Sequence, residues 1–254
     1  MDTTNNTPTV LSLCTGYGGI ERGLSLAGVK HRVIAHVEIE AFAIANLVAK
    51  MEEGRMDAAP IWTDLKTLPV GVFRARVDIL TGGYPCQPFS LAGRRQGFAD
   101  QRHIWPYMAK AISTIRPRVV FLENVEGHTG LGLSTVLRDL EKLGYRTTWG
   151  IFSAAEAGAP HQRRRVFIMA HAEGFRAQRL WPSWVEESDT HGQTELPMCE
   201  SEGGEPADWK AEPSMGRVVD GCPNRVDRLR LLGNAVVPQT AAKAWITLNE
   251  GIKK

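Results

Sequence analysis

Apolar positions along the chain fall into short continuous runs that alternate with stretches of helical spacing. Residues 10–14 form an apolar run that stops at Gly16, Gly18 and Gly19. Residues 20–27 then follow a helical period, with Gly28 as the stop signal. Residues 32–37 make a second apolar run, and residues 41–51 are strongly helical in pattern. Residues 61–65 fit a short strand or turn that ends near Asp64. Residues 77–81 read as a buried strand running into Gly82 and Gly83. A helix over 103–115 and an apolar run over 119–122 come next, followed by a helix over 134–143 stopped by Gly144. Two further strands are expected over 146–152 and 165–170.

This alternation predicts an α/β fold, doubly wound around a mainly parallel sheet. Ligands bind such sheets at the carboxyl ends of the strands. The loops after Cys14, Val37, Thr81 and Leu122 are therefore where chemistry is expected. Beyond residue 172 the period is lost. Residues 172–213 are polar, with Gly203 and Gly204 adjacent and Phe175, Trp181, Trp184 and Trp209 scattered among them. They read as an irregular or partly disordered insert. Helical spacing returns over 226–232 and 238–248.

Composition narrows the classes. The chain has 254 residues, 43% hydrophobic and 23% charged, which is ordinary for one large domain or a domain with a small appendage. No apolar stretch reaches the roughly 18 residues of a membrane span, and the polar N-terminus does not read as a signal peptide. Cys14, Cys86, Cys199 and Cys222 have no paired metal-ligand spacing and do not suit a disulfide scaffold. No metal, no membrane and a reducing cytoplasm are the expectations. The net charge of +2 conceals an asymmetry. Residues 172–213 hold ten acids against three bases, net −7, and the rest of the chain is net +9. A basic body suits a polyanionic partner, although an acidic solvated loop on a mildly basic enzyme would give the same balance.

Five stretches carry candidate chemistry. Leu11-Ser12-Leu13-Cys14-Thr15-Gly16-Tyr17-Gly18-Gly19 is a strand, a glycine-rich turn and a helix start, which can bring backbone N–H groups close to a ligand. Glu38 ends the next strand, where nucleotide folds hold ribose hydroxyls. That pattern fits an adenosine-type cofactor, NAD or S-adenosylmethionine alike, and no phosphate-binding lysine follows it. Gly82-Gly83-Tyr84-Pro85-Cys86-Gln87-Pro88-Phe89-Ser90 sets a cysteine between two prolines on a stiff loop. Such a cysteine is either a positioned nucleophile or a buried inert thiol. Phe121-Leu122-Glu123-Asn124-Val125 puts a carboxylate after four apolar residues at a strand end. There it is either a part-buried proton donor or a solvated surface acid. In Pro160-His161-Gln162-Arg163-Arg164-Arg165-Val166-Phe167-Ile168, alternation sends Arg163 and Arg165 to one side and Arg164 to the other. These arginines either contact phosphate and base or pair with nearby acids. Leu231-Leu232-Gly233-Asn234-Ala235-Val236-Val237-Pro238-Gln239 reads as a turn into a helix.

Together, in this order, the five stretches resemble the DNA (cytosine-5)-methyltransferase family, of the compact phage, prophage or bacterial type. The likeness covers roughly residues 9–170 and 215–245. It implies a methyltransferase fold with S-adenosylmethionine as cofactor and double-stranded DNA as partner. It also implies methylation of carbon 5 of cytosine at a short recognition sequence, by base flipping and covalent addition of Cys86 to carbon 6. Residues 1–171 would form the catalytic and cofactor-binding core, 172–213 a reduced target-recognition segment, and 214–254 the segment completing the core.

Carried over residue by residue, the resemblance makes Gly16, Gly18 and Gly19 the lining of the methionine part of the cofactor, with Cys14 beside them. Glu38 takes the ribose hydroxyls, and Asp64 and Leu65 bracket the adenine. Glu123 contacts the ring nitrogen and amino group of the cytosine, while Arg163 and Arg165 hold the flipped base. Asn234 braces the cysteine loop and the cofactor site from the C-terminal side. Gln87, Ser90, Arg94, Arg95, Arg225 and Arg228 are the expected DNA contacts, with Arg163 to Arg165 and Arg230 helping on the backbone. Ser12 stands where the family often has aspartate, Cys14 where it often has phenylalanine, and His161 where glutamine is common. The acidic insert is the largest departure from the family, whose corresponding segment reads the target. Most relatives act as monomers, so a monomer is expected.

Overall fold

A computed structural model describes residues 7–85, 104–174 and 233–252. Its centre is a seven-stranded sheet: β1 (Thr9–Leu13), β2 (Arg32–Val37), β3 (Ile61–Trp62), β4 (Ile79–Gly83), β5 (Val119–Val125), β6 (Tyr145–Phe152) and β7 (Arg165–Ala172). The spatial order is β3-β2-β1-β4-β5-β7-β6. The pairs β3–β2, β2–β1, β1–β4 and β4–β5 are parallel. Strand β7 lies antiparallel to both β5 and β6. The expected doubly wound, mainly parallel sheet is therefore present, with a reversed strand near one edge. Periodicity could not foresee the reversal, because strand direction leaves no trace in a run of apolar residues.

Helices cover both faces. They are α1 (Gly19–Leu26), α2 (Ala41–Glu52), α3 (Trp105–Ile115), α4 (His128–Leu131), α5 (Leu133–Lys142) and α6 (Pro238–Ile252). One core cluster packs Trp105, Met108 and Ile112 of α3 and Val136 and Leu140 of α5 against Leu11, Leu13, Leu80, Val120 and Leu122. The other packs Ile20 and Leu24 of α1 and Trp245 and Leu248 of α6 against Val10, Ile79, Phe121, Phe167 and Met169. Trp245 meets Phe121 edge-on at 5.1 Å, and Phe121 stacks on Phe167 at 5.5 Å. The C-terminal helix is thus an integral layer of the domain.

Three boundaries differ from expectation, each for a physical reason. Strand β4 runs through Gly82 and Gly83. A Cβ on Gly82 would lie 2.5 Å from the Met108 methyl of α3, so glycine there lets the helix approach the strand. Strand β5 continues to Val125, because β7 pairs with it along its whole length. The stretch before α5, left unassigned by periodicity, holds the single turn α4. The helix expected over 226–232, the insert over 172–213 apart from its first three residues, and residue 103 lie outside the described residues. Among the described residues no helix is long and apolar enough to cross a membrane.

The chain winds from β1 through β2 to β3 on one side, then returns to β4 and β5 on the other. The carboxyl ends of β1 and β4 therefore flank the point where winding reverses, which is where open α/β sheets bind ligands. The glycine-rich turn leaves one of these ends, and the chain leading to Cys86 leaves the other.

Candidate active site

The turn after β1 is held open by its backbone. Gly16 and Gly18 have φ of +55° and +76°, and Cys14 also takes the left-handed region at +51°. Nothing among the described residues lies within 4 Å of where a Gly16 Cβ would stand. Glu38, just beyond β2 and 7% exposed, reaches back to this turn. Its Oε2 accepts the Gly16 N–H at 2.7 Å, and its Oε1 accepts the Glu40 N–H at 2.8 Å. Each oxygen keeps a lone pair for a further donor. Ile39, next in sequence, is 69% exposed, and Trp62 of β3 is 42% exposed.

Asp64 caps the short 3₁₀ turn Leu65–Thr67, its Oδ1 accepting the Lys66 N–H at 2.9 Å. Leu65 is buried in the core beside Leu68, so its side chain supports this rim from within. Burial, with Glu38 nearby, pushes the Cys14 thiol up to about 12. That keeps the thiol protonated and neutral at physiological pH.

Gly19 fixes the other side of the turn. A Cβ there would lie 2.5 Å from the Val236 carbonyl oxygen. The segment that sequence alone left mute, Gly-Asn-Ala-Val-Val-Pro, is thus pressed against the glycine-rich turn. Arg163, with φ +32°, clasps this segment by donating to the carbonyls of Gly233 (2.8 Å) and Ala235. Asn234 lies in the clasped turn and is exposed.

Glu123 is a buried carboxyl with a raised pKa. It sits inside β5, opposite Gly83 of β4 and Phe167 of β7. Its side chain is not solvated, as a surface acid at a strand end would be, but is buried with the residue only 6% exposed. Arg165 Nε donates to Glu123 Oε1 at 3.0 Å. Burial pushes the carboxyl up to about 7, against the opposing pull of Arg165 and Arg163. A Cβ on Gly83 would stand 3.4 Å from Glu123 Oε2, so glycine leaves that oxygen room. A carboxyl in this state carries its proton for about half the time near neutral pH and can hand it to a base or take it back.

Arg164, just before β7, pairs with Glu126 at 2.9 Å, separate from the Arg165–Glu123 pair. All three arginines contact protein groups here, Arg163 the C-terminal segment, Arg165 Glu123 and Arg164 Glu126, and of the two ion-paired ones Arg164 is the more exposed, at 53% against 16%. Cys86, Gln87, Ser90, Arg94, Arg95, Arg225 and Arg228 lie outside the described residues. The last two described residues before Cys86 are the buried Tyr84 and the exposed Pro85.

Sequence reasoning gave Asn124 no role. Its Nδ2 donates to the Tyr84 carbonyl at 3.0 Å, and its Oδ1 accepts the Val125 N–H at 2.8 Å. The signal was present in the strand period: adjacent residues point to opposite faces, so one dipeptide serves Glu123's site on one side and the base of the cysteine loop on the other. Among the described residues no group of three or more His, Cys, Asp or Glu side chains could hold a metal.

Known proteins share this chain's sequence pattern and fold. Residues 8–202 match the family model described as C-5 cytosine-specific DNA methylase. Type II methyltransferase M.NaeI of Lentzea aerocolonigenes is 29% identical over 245 residues, covering 94% of this chain and 57% of its own length. M.NgoMIV of Neisseria gonorrhoeae is 32% identical over 178 residues, covering 68% and 55%. The chain spans about half the length of the curated relatives it matches. Among solved structures, the S. pombe Dnmt2 methyltransferase aligns with a TM-score of 0.55 at 23% identity, over 74% of this chain and 58% of that one. Spodoptera frugiperda DNMT2 aligns at 0.56 and 21%, over 66% and 51%. These likenesses establish the methyltransferase fold, and the match over residues 8–202 establishes the lineage: the chain belongs to the C-5 cytosine-specific DNA methylase family.

Proposed function

We propose that this protein transfers a methyl group from S-adenosylmethionine to carbon 5 of cytosine in double-stranded DNA at a short recognition sequence. The observation that carries the reading is the buried Glu123, held by Arg165 and set against Gly83, the end of the strand that leads in three residues to Cys86. The curated relatives' names as Type II methyltransferases support methyl transfer as the reaction.

The residues fit the cofactor. The open left-handed turn at Gly16 and Gly18 gives a close approach for its methionine part, with Cys14 and Gly19 behind it. Glu38 offers two lone pairs to ribose hydroxyls, and the exposed Ile39 supplies an apolar surface toward an adenine near Asp64 and Leu65. Asn234 sits in the turn that Arg163 ties to this site. When bound, S-adenosylmethionine supplies an electrophilic methyl group.

The chain's residues make carbon 5 reactive. The Cys86 thiolate adds to carbon 6, which breaks the aromaticity of the ring and leaves carbon 5 enamine-like. Glu123 donates its proton toward the ring nitrogen, where the charge gathers. Loss of the carbon 5 proton and departure of Cys86 restore the base. A base inside a duplex cannot be reached from both faces, so the cytosine is flipped out, at a few kcal/mol of unstacking. Arg165 holds Glu123 in place for that base, and Arg163 joins this side of the site to the C-terminal turn. Residues 172–213 are proposed as the target-recognition segment within a core of 1–171 and 214–254. Gln87, Ser90, Arg94, Arg95, Arg225 and Arg228 are proposed on the DNA, with the enzyme acting as a cytoplasmic monomer.

Bisulfite sequencing of plasmid DNA from cells expressing the chain, beside a Cys86→Ala control, tests the reading. Methylated cytosines within one short motif, absent from the control, are expected. Unmethylated plasmid from a soluble chain that methylates RNA in a transfer assay would replace DNA with RNA as substrate.

A further inference from the structure

On the face of β5 opposite Glu123, an uncharged set of contacts converges on Tyr84. The residue is 3% exposed and its hydroxyl lies 2.8 Å from Nε2 of His128. Its ring packs on Trp105 at 5.6 Å and meets the His128 ring edge-on at 5.4 Å. Its carbonyl accepts from Asn124 at 3.0 Å. Trp105 is itself fixed, donating from Nε1 to Asp139 of α5 at 2.9 Å. His128 is 4% exposed, and burial lowers its pKa to about 4, so the ring is neutral through the physiological range. A Cβ on Gly132 would stand 2.7 Å from His128 Cε1, so glycine there makes room for the imidazole.

If Tyr84 only filled the core, phenylalanine would occupy the same space and no histidine would be needed. Instead a buried hydroxyl is matched to a buried ring nitrogen, and either partner left alone would be a buried polar group without its hydrogen bond. Pairing of this kind fixes direction as well as place. Tyr84 is buried directly after β4 ends at Gly83, and Cys86 is two residues on. A nucleophile must be held within about 0.5 Å of its productive geometry.

We propose that His128 is a positioning residue which, through the Tyr84 hydroxyl, sets the point and direction from which the Pro85-Cys86 segment leaves the sheet. The proposal rests on the reading of Cys86 as the nucleophile. Its distinguishing consequence is that the Tyr84–His128 pair governs the covalent step and leaves both ligands' affinities alone.

The test uses the full chain and a duplex containing 5-fluorocytosine, on which carbon 5 has no proton to lose and the Cys86 adduct persists. The rate of adduct formation is followed in single turnovers for wild type, Tyr84→Phe, His128→Leu, His128→Gln and the Tyr84→Phe/His128→Leu double variant. Cofactor and duplex affinities are measured alongside. Tyr84→Phe and His128→Leu should each slow adduct formation ~10–100-fold, as expected for a displaced nucleophile. Both affinities should stay within about 2-fold, and the double variant should be no slower than the worse single one. His128→Gln, whose amide can meet the hydroxyl, should recover part of the rate. Tyr84→Phe removes one oxygen atom and keeps the test open if His128→Leu does not fold. Adduct rates within about 2-fold of wild type, with only the melting temperature lowered, would overturn the proposal and leave a structural contact. A wild type that methylates DNA without ever trapping Cys86 overturns the nucleophile assignment itself, before any variant is compared.

Discussion

At the scale of single residues, the proposed mechanism places its acid–base behaviour on Glu123 and its partner Arg165. A carboxyl pushed up to about 7 holds its proton below that pH and loses it above. The methylation rate should therefore carry an alkaline limb near pH 7, set by Glu123, on top of the rise that forms the Cys86 thiolate. Replacing Arg165 by alanine removes the largest opposing influence and leaves burial to act, so the limb should move to higher pH. Glu123→Gln should lose the limb entirely and slow turnover by roughly 10²–10⁴-fold, the range of general acid–base contributions. Single-turnover rates from pH 6 to about 9 check all three outcomes, and a limb that stays near 7 in Glu123→Gln would assign it to another group. Cys14 offers a contrast, because its thiol, pushed up to about 12, should resist alkylation by reagents that reach an exposed cysteine.

At the scale of elements, glycines in α1 set how closely the C-terminal helix can dock. A Cβ on Gly23 would lie 2.6 Å from the Ala241 Cβ and 2.9 Å from the Pro238 carbonyl oxygen. Gly23→Ala should push α6 off α1 and lower stability by about 1–3 kcal/mol, the usual cost of overpacking, read from denaturant unfolding. Gly19→Ala instead drives a methyl group into the Val236 carbonyl at 2.5 Å. It should weaken cofactor binding more than it weakens the fold, because Val236 lies beside the turn that Arg163 ties down. Calorimetric titration with S-adenosylmethionine separates the two variants. Unchanged affinity in Gly19→Ala would sever the link between the C-terminal segment and the cofactor turn.

At the scale of the whole molecule, buried titratable groups shape stability against pH. His128 and His171 are each lowered from 6.5 to about 4, and His36 is lowered as well. Between those values the unfolded chain takes up protons that the folded chain refuses, so these groups cost stability as pH falls below 6.5. The loss is roughly 3 kcal/mol each for His128 and His171 once the shift is complete. Glu123 acts in the opposite sense. The folded carboxyl keeps its proton up to about 7 while the unfolded one loses it near 4.5, so its stabilisation fades as pH rises through that window. With at least two histidines against one carboxyl, stability should climb from pH 4.5 to 6.5. It should then ease slightly toward 7, and Glu123→Gln should remove the later decline. Urea unfolding at intervals of half a pH unit measures both.

The sequence by itself determined the class and winding of the domain, because burial forces apolar residues into strand and helix periods. Runs such as 10–14 and 119–122 needed no tertiary context to be read. It also determined which stretches carry chemistry, since glycine turns and a lone acid after an apolar run announce local constraints. Direction, face and partnership were decided only in three dimensions. The antiparallel insertion of β7 lengthened β5, buried Glu123 and brought Arg165 to it from 42 positions away along the chain. The pairing of Tyr84 with His128 spans 44 positions. The close approach of Val236 to Gly19 gave meaning to a C-terminal segment that had none alone. The physical reason is common to all three: periodicity records whether a side chain is buried, whereas a pKa, an ion pair or a steric limit depends on which distant atoms bury it.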